Sequence, residues 1–164
     1  MTTTASATAA PIRVAVPPPR VLRLINPLVA ALLRSPFHRL LSREVLLLTF
    51  TGRRSGRRIT IPVGYTREGD TLTLFSTRSW WQNLRGGAAV AVRLAGRPRT
   101  ARATPTDDRA AVSAEVQRYI DQYGARKAGR RIGIALDPAC PPAPDELLSD
   151  LPHLAVIRLA LDPL

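Results

Sequence analysis

The sequence predicts an α+β domain dominated by β-structure, a small antiparallel barrel of about six strands with peripheral helices. Two observations carry this. Short runs of alternating or continuous apolar residues follow one another closely between residues 44 and 104, and tight turns rich in Gly, Arg and Asp join them into hairpins. Apart from one short turn at Trp80–Arg85, the helical patterns lie outside that block, before residue 35 and after residue 106. Strands met in succession, without a helix crossing over between each pair, favour antiparallel neighbours over a parallel sheet.

Residues 1–19 are dominated by Ala, Thr and Pro and end in Pro17-Pro18-Pro19. With no basic segment followed by an apolar core they read as a disordered tail, not a signal peptide. Residues 20–164 then form one domain. Its first element is an amphipathic helix over 21–34, with Val21, Leu24, Ile25, Leu28 and Leu32 on one face. The helix either packs on the barrel or lies along a membrane surface, because basic flanks and a broad apolar face serve both uses.

Glu44 to Thr51 is a continuous apolar run of strand length. Arg58 to Thr66 alternates, placing Ile59, Ile61, Val63 and Tyr65 on one face and Thr60, Pro62, Gly64 and Thr66 on the other. Pro62 lacks an N–H for the ladder, which argues for an edge position. The turn Arg67-Glu68-Gly69-Asp70 leads into Thr71–Ser76 and predicts a hairpin between these two strands. Trp80 to Arg85 reads as a short helix stopped by Gly86-Gly87. Ala88–Ala95 and Arg97–Thr104 form a second hairpin. Thr106 is the expected N-cap of a helix with Val112, Val116, Tyr119, Ile120 and Tyr123 along one face. A proline-rich loop over 137–144, a short helix over 145–151 and a closing strand over 154–161 complete the reading.

The formal charge of +12 points to anionic ligands. Of the 24 basic residues only Lys127 is lysine, so part of the excess reflects arginine codon usage in an Ala- and Pro-rich chain. A nucleic-acid partner is not expected, since aromatics are only 5% of the chain and fall mostly at core positions, leaving few to stack on bases. Cys140 is the one cysteine, so an intrachain disulfide and a cysteine metal cluster are both excluded. His38 and His153 stand far apart, and no metal site is expected. A reducing cytoplasm suits this composition. Contact with the inner face of the cell membrane through 21–34 is the second reading.

Two segments concentrate the chemistry. Gly52-Arg53-Arg54-Ser55-Gly56 puts guanidinium groups, a hydroxyl and glycine N–H groups on one turn, the equipment for a phosphate or carboxylate. Ser76-Thr77-Arg78 ends a strand immediately before Trp80, Trp81 and Asn83. If folding brings these segments together, an anionic aromatic ligand can lie between them, against the small-residue face at Pro62 and Gly64. Tyr65, Tyr119 and Tyr123 are the candidates for a proton or hydrogen bond to a reacting oxygen. Burial in the core is the commoner fate of each.

The run L-L-L-T-F-T-G-R-R-S-G-R-R-I-T-I-P-V-G-Y followed by W-W-Q-N-L-R-G-G resembles the deazaflavin-dependent nitroreductase and quinone reductase family. The resemblance spans about Asn26 to Ala103 and the last strand. It implies a split β-barrel related to flavin-binding oxidases, and hydride transfer from reduced coenzyme F420 to a quinone, nitro compound or similar small acceptor. It assigns Arg53, Arg54, Ser55 and Gly56 to the phosphate and acidic tail of the coenzyme and Pro62 to its ring, beside which the small-residue face adds Gly64. Ser76, Thr77, Arg78, Trp81 and Asn83 line the neighbouring wall. Ser76 is followed by Trp81 within five residues and without glycine, where better-studied members carry a longer S-K-G-G loop; Arg78 partly replaces the lysine. That departure supports a second reading, in which the same barrel holds FMN, haem or a fatty acid as carrier or oxidase. The resemblance also leaves a homodimer open.

Overall fold

The computed structural model describes residues 12–15 and 44–163. The expected helix over 21–34 lies outside the described residues, and so does most of the expected tail. Nine strands are described: β1 (Arg13–Val14), β2 (Val45–Thr51), β3 (Arg58–Gly64), β4 (Thr66–Glu68), β5 (Thr71–Ser76), β6 (Ala88–Leu94), β7 (Arg97–Thr106), β8 (Ile134–Ala135) and β9 (Ala155–Leu161). A 3-10 helix, Ser79–Leu84, precedes β6. Three α-helices follow β7, namely α1 (Arg109–Tyr123), α2 (Ala125–Ile132) and α3 (Pro144–Asp150).

Seven strands form one antiparallel sheet in the order β3-β2-β6-β7-β9-β5-β4. Its two edge strands, β3 and β4, are consecutive in sequence and separated only by Tyr65. A sheet whose opposite edges are joined by one residue has to curl until those edges meet, and this makes the fold a barrel rather than an open sheet. The expected α+β, mainly β, split-barrel architecture is the one observed.

The single strand expected over 58–66 is not. The chain breaks at Tyr65, so β3 pairs along its whole length with β2, and only β4 pairs back on β5. Gly64 sits just before the break; a Cβ there would meet only the Glu44 carbonyl oxygen, at 3.6 Å, an ordinary contact. The Tyr65 N–H donates to that same carbonyl at 3.0 Å, a last bond in the β2–β3 register before the chain crosses to β4. Pro62 does lie on an edge strand, as its missing N–H requires.

Alternation along the strands fills two cores. Leu46, Leu48 and Phe50 of β2, Leu72 and Leu74 of β5, Val90 and Val92 of β6, and Ile157 and Leu159 of β9 fill the barrel, with Trp81 and Leu84 of the 3-10 helix at one end. Phe75 and Val156 point outward from β5 and β9 and join a second cluster with Val112, Val116, Tyr119 and Ile120 of α1, Ile132 of α2 and Leu147 of α3. The helix α1 starts two residues later than expected. Thr106 still belongs to β7, paired with Val156, and Asp108 caps the helix by accepting from the Ala111 N–H at 2.8 Å. Within the stretch expected as tail, β1 pairs with β8, and the Ala15 N–H donates to the Gly133 carbonyl at 2.9 Å. Those backbone bonds hold these residues as strand.

Candidate functional site

The β2–β3 connection is a closed loop. The Gly52 N–H donates to the Arg57 carbonyl at 2.9 Å, and the Gly56 N–H donates to the Gly52 carbonyl at 2.8 Å. Gly56 sits at φ +63, where a side chain would be strained, and a Cβ on Gly52 would fall 2.8 Å from Ser55 Oγ. Ser55 Oγ accepts from the Arg57 N–H at 3.3 Å. The two glycine N–H groups expected to face an anion are therefore spent inside the turn, because closing it requires them. Among the described residues no hydrogen bond uses the Arg54 or Ser55 N–H, and no carboxylate pairs with Arg53, Arg54, Arg57 or Arg58. The turn thus presents exposed guanidinium groups without counter-charges.

Folding joins this turn to the second segment. The Arg53 N–H donates to Asn83 Oδ1 at 3.0 Å, and Arg53 Nη1 reaches the Gln82 carbonyl at 3.4 Å. Asn83 Nδ2 donates in turn to the Trp80 carbonyl at 2.8 Å. Both ends of the Asn83 amide are thereby occupied, so its observed work is to clamp the turn to the 3-10 helix. Of the two tryptophans, Trp81 is 4% exposed and belongs to the barrel core, with the Arg85 guanidinium 4.8 Å above its ring. Trp80 is half-buried and stacks on Phe50 at 5.8 Å between ring centroids. Trp81, expected along the site wall, thus lies in the core, and Trp80 is the one nearer the surface.

Ser76 is buried at the end of β5, its hydroxyl accepting from the Arg78 N–H at 3.1 Å and donating to the Arg78 carbonyl at the same distance. It therefore shapes the bend through half-buried Thr77 and Arg78 into the 3-10 helix. This end of β5 and the Gly52–Gly56 turn both adjoin that helix, so the two halves of the predicted site share one end of the barrel.

The outer face of β3 carries Thr60, Pro62 and Gly64, opposite Thr49, Leu47 and Val45 of β2. The Thr49 and Thr60 hydroxyls bond each other at 2.9 Å, leaving a low, smooth strip along the strand. At the far end of β3 this strip opens into a recess of about 410 Å³ lined by Glu44, Val45, Gly64, Tyr65, Lys127, Arg130 and Arg131.

The tyrosines separate cleanly. Tyr65 borders the recess while packing against the barrel core beside Ile59, Ile61 and Val63, and burial raises its phenol pKa, an effect that the Arg67 charge partly offsets. Tyr119 is 0% exposed, edge-on to Phe75 at 4.9 Å and to Tyr123 at 5.5 Å. Burial raises its pKa as well, against the opposing effect of the Thr66 and Thr73 hydroxyls. A phenol closed off from solvent inside a packed cluster cannot reach a substrate. Tyr123 is half-buried under the Arg131 guanidinium, 4.5 Å from its ring.

Sequence reasoning missed the three cations of the recess and the helix that carries them. Lys127, Arg130 and Arg131 follow an i, i+3, i+4 pattern on α2, the spacing of one helical face. That pattern was the available signal. Among the described residues no group of three or more His, Cys, Asp or Glu side chains could hold a metal ion, and no helix is long and apolar enough to cross a membrane.

The family model for F420H(2)-dependent quinone reductase matches residues 34–137 of the chain. A search of curated proteins returns no match. Among solved structures, an F420 reductase is 17% identical with a TM-score of 0.44, over 79% of this chain and 95% of that one. A putative pyridoxamine 5'-phosphate oxidase from Listeria innocua is 13% identical with a TM-score of 0.47, over 83% and 94%. The heme storage protein HutZ from Vibrio cholerae is 11% identical with a TM-score of 0.44, over 74% and 83%.

Proposed function

The chain belongs to the F420H(2)-dependent quinone reductase family, and from that premise we propose that it reduces a quinone, nitro compound or similar small acceptor at the outer face of β3. F420 is its cofactor and it is an F420-dependent reductase; the acceptor and the residue roles are the proposal. When bound, the deazaflavin supplies hydride, a two-electron donor that asks the protein for position rather than for a nucleophile.

The observation that carries the reading is the clamp between Arg53 and Asn83. It supports one continuous site, because it fixes the cationic turn against the segment that follows Ser76. Arg53, Arg54 and Ser55 would hold the phosphate and acidic tail, with the free N–H groups of Arg54 and Ser55 adding donors. Thr60, Pro62 and Gly64 would let a flat ring approach the β3 backbone closely, since none of them raises a long side chain. Tyr65, whose raised pKa keeps its phenol protonated through neutral pH, would hold a proton beside the acceptor oxygen. Holding both partners in contact geometry is the protein's main contribution. The residues present fit the coenzyme: uncompensated guanidinium groups for its anions and a smooth strand for its ring. The site offers no observation in favour of FMN, haem or a fatty acid.

Titration of the purified protein with F420, followed by coenzyme fluorescence, tests the reading. A saturable change at micromolar coenzyme is expected. Replacing Arg53 and Arg54 by Ala should raise Kd at least tenfold, since a charge-assisted hydrogen bond contributes about 1.5–3 kcal/mol. No saturable change in the unmodified protein would overturn it.

A further inference from the structure

The recess at the far end of β3 holds more positive charge than the fold requires. Lys127, Arg130 and Arg131 line it with a single carboxylate, Glu44, whose backbone carbonyl is already tied to the Tyr65 N–H. Three cations against one acid leave an excess of two positive charges. Among the described residues none of the three cations forms an ion pair. Arg131 is partly engaged, by the Tyr123 ring and by a 3.4 Å bond from Nη1 to Thr66 Oγ1. Lys127 and Arg130 make no hydrogen bond, ion pair or ring contact among the described residues.

Helix electrostatics explains only part of this arrangement. Arg130 and Arg131 lie in the last turn of α2, where the helix dipole favours cations. Lys127 lies in the first turn, the positive end, where the same dipole works against it. A cation placed at the unfavourable end of its helix, on the same face as two others and open to a recess, is explained by what enters the recess. We infer that the hydride acceptor of this enzyme carries an anionic group, a carboxylate, sulfonate or phosphate, which Lys127, Arg130 and Arg131 hold while its reducible ring lies beside Gly64 and Tyr65. The inference rests on the reading that places the coenzyme ring along β3.

For a quinone acceptor the chemistry balances simply. A hydride from the reduced coenzyme and one proton convert the quinone to its hydroquinone, and the coenzyme is oxidised by the same two electrons. The cations take no part in that transfer; they select and orient the acceptor.

Two probes test the inference, 1,4-naphthoquinone-2-sulfonate and the neutral 2-methyl-1,4-naphthoquinone. The sulfonate should have the lower KM, and added salt should raise its KM while leaving that of the neutral quinone unchanged. Binding of the sulfonate to the coenzyme-free protein, measured by calorimetry, should show the same salt dependence. The triple variant Lys127→Gln, Arg130→Gln, Arg131→Gln should raise the sulfonate KM about tenfold or more, the loss of roughly one charge-assisted contact, and abolish the calorimetric signal. The neutral quinone should respond by less than about twofold, a change too small to signal a lost contact. Arg126→Gln, on the same helix and outside the recess, should change neither. A double Lys127→Gln, Arg130→Gln variant spares the Arg131 contacts, should the triple variant lose stability.

Equal KM values for the two quinones, or equal responses to the triple variant, would overturn the inference and leave the reductase reading intact. Failure of the coenzyme titration would instead remove the reductase reading, and the acceptor assignment would fall with it even if the sulfonate still bound.

Discussion

Replacing Asn83 by Ala tests whether the two halves of the site are one object. Its amide makes two bonds that no other side chain supplies, accepting from the Arg53 N–H at 3.0 Å and donating to the Trp80 carbonyl at 2.8 Å. A typical intramolecular hydrogen bond contributes about 0.5–1.5 kcal/mol net. The first of these lies at an exposed position, where water replaces the amide readily, so the combined loss should sit near the lower end, about 1–2 kcal/mol. For a chain of this size that corresponds to a fall in Tm of roughly 2–8 °C.

The effect on coenzyme affinity has a separate origin. Without the clamp Arg53 regains backbone freedom, and fixing one residue again on binding costs about 1–2 kcal/mol. The Kd for F420 should therefore rise by roughly five- to thirtyfold. Thermal melts of the apoprotein and fluorescence titration of the coenzyme read the two quantities independently. A lower Tm with an unchanged Kd would refute the reasoning, because it would mean that ordering the turn does not matter for the ligand. Asn83→Asp sharpens the test. It keeps an acceptor for Arg53 but adds negative charge beside the turn, so its affinity loss should grow as ionic strength falls.

Three further outcomes follow from the packing. Gly129→Ala should destabilise by about 1–3 kcal/mol, visible as a lower Tm, because its Cβ would sit 2.6 Å from the Ile134 carbonyl oxygen, a backbone atom that cannot swing aside. Tyr119→Phe should keep both coenzyme affinity and turnover, and its Tm should change little, since its hydroxyl is buried near the Thr66 and Thr73 hydroxyls without a well-formed hydrogen bond among the described residues; a turnover loss of tenfold or more would return Tyr119 to the catalytic candidates. Tyr65 and Tyr119 both have folded-state pKa values raised above 10.0, so their contribution to stability is complete below that pH and is lost as pH rises through the folded values. Denaturant melts at increasing alkaline pH should show this decline, and a Tyr65→Phe, Tyr119→Phe double variant should flatten it.

Strand positions and the edge character of Pro62 were legible because alternation and a missing N–H are local properties. The break at Tyr65 was not, since Ile59, Ile61, Val63 and Tyr65 continue the period-two pattern across it. Periodicity records which face a residue takes and says nothing of which neighbour its backbone chooses. The helix α2 was hidden for a different reason: Ala-Arg-Lys-Ala-Gly-Arg-Arg-Ile carries one large apolar residue and an internal glycine, too little for an apolar stripe. Trp80 and Trp81 could not be ordered from sequence because adjacent helical positions point in different directions and either could have faced inward. The cationic turn was legible as chemistry. Its internal use of the Gly52 and Gly56 N–H groups depends on loop closure and was not.

The closure at Tyr65 also explains how so small a protein can separate two anion-attracting surfaces without bringing their charges into conflict. The seven residues of β3 span about 20 Å at ~3.3 Å per residue, with the arginine turn before Arg58 and the α2 recess beyond Gly64. That spacing exceeds the screening length of physiological salt, about 8 Å, so the two groups of cations raise each other's energy little. Between them the strand offers only Thr60, Pro62 and Gly64 on its outer face, which leaves the middle uncharged and flat. Moving the strand break even two residues earlier would place Pro62 at the bend and shorten the strip, and with it the length of ligand the proposed site could span. On the proposed reading, the position of the strand break therefore also sets the distance between the coenzyme's tail and its acceptor.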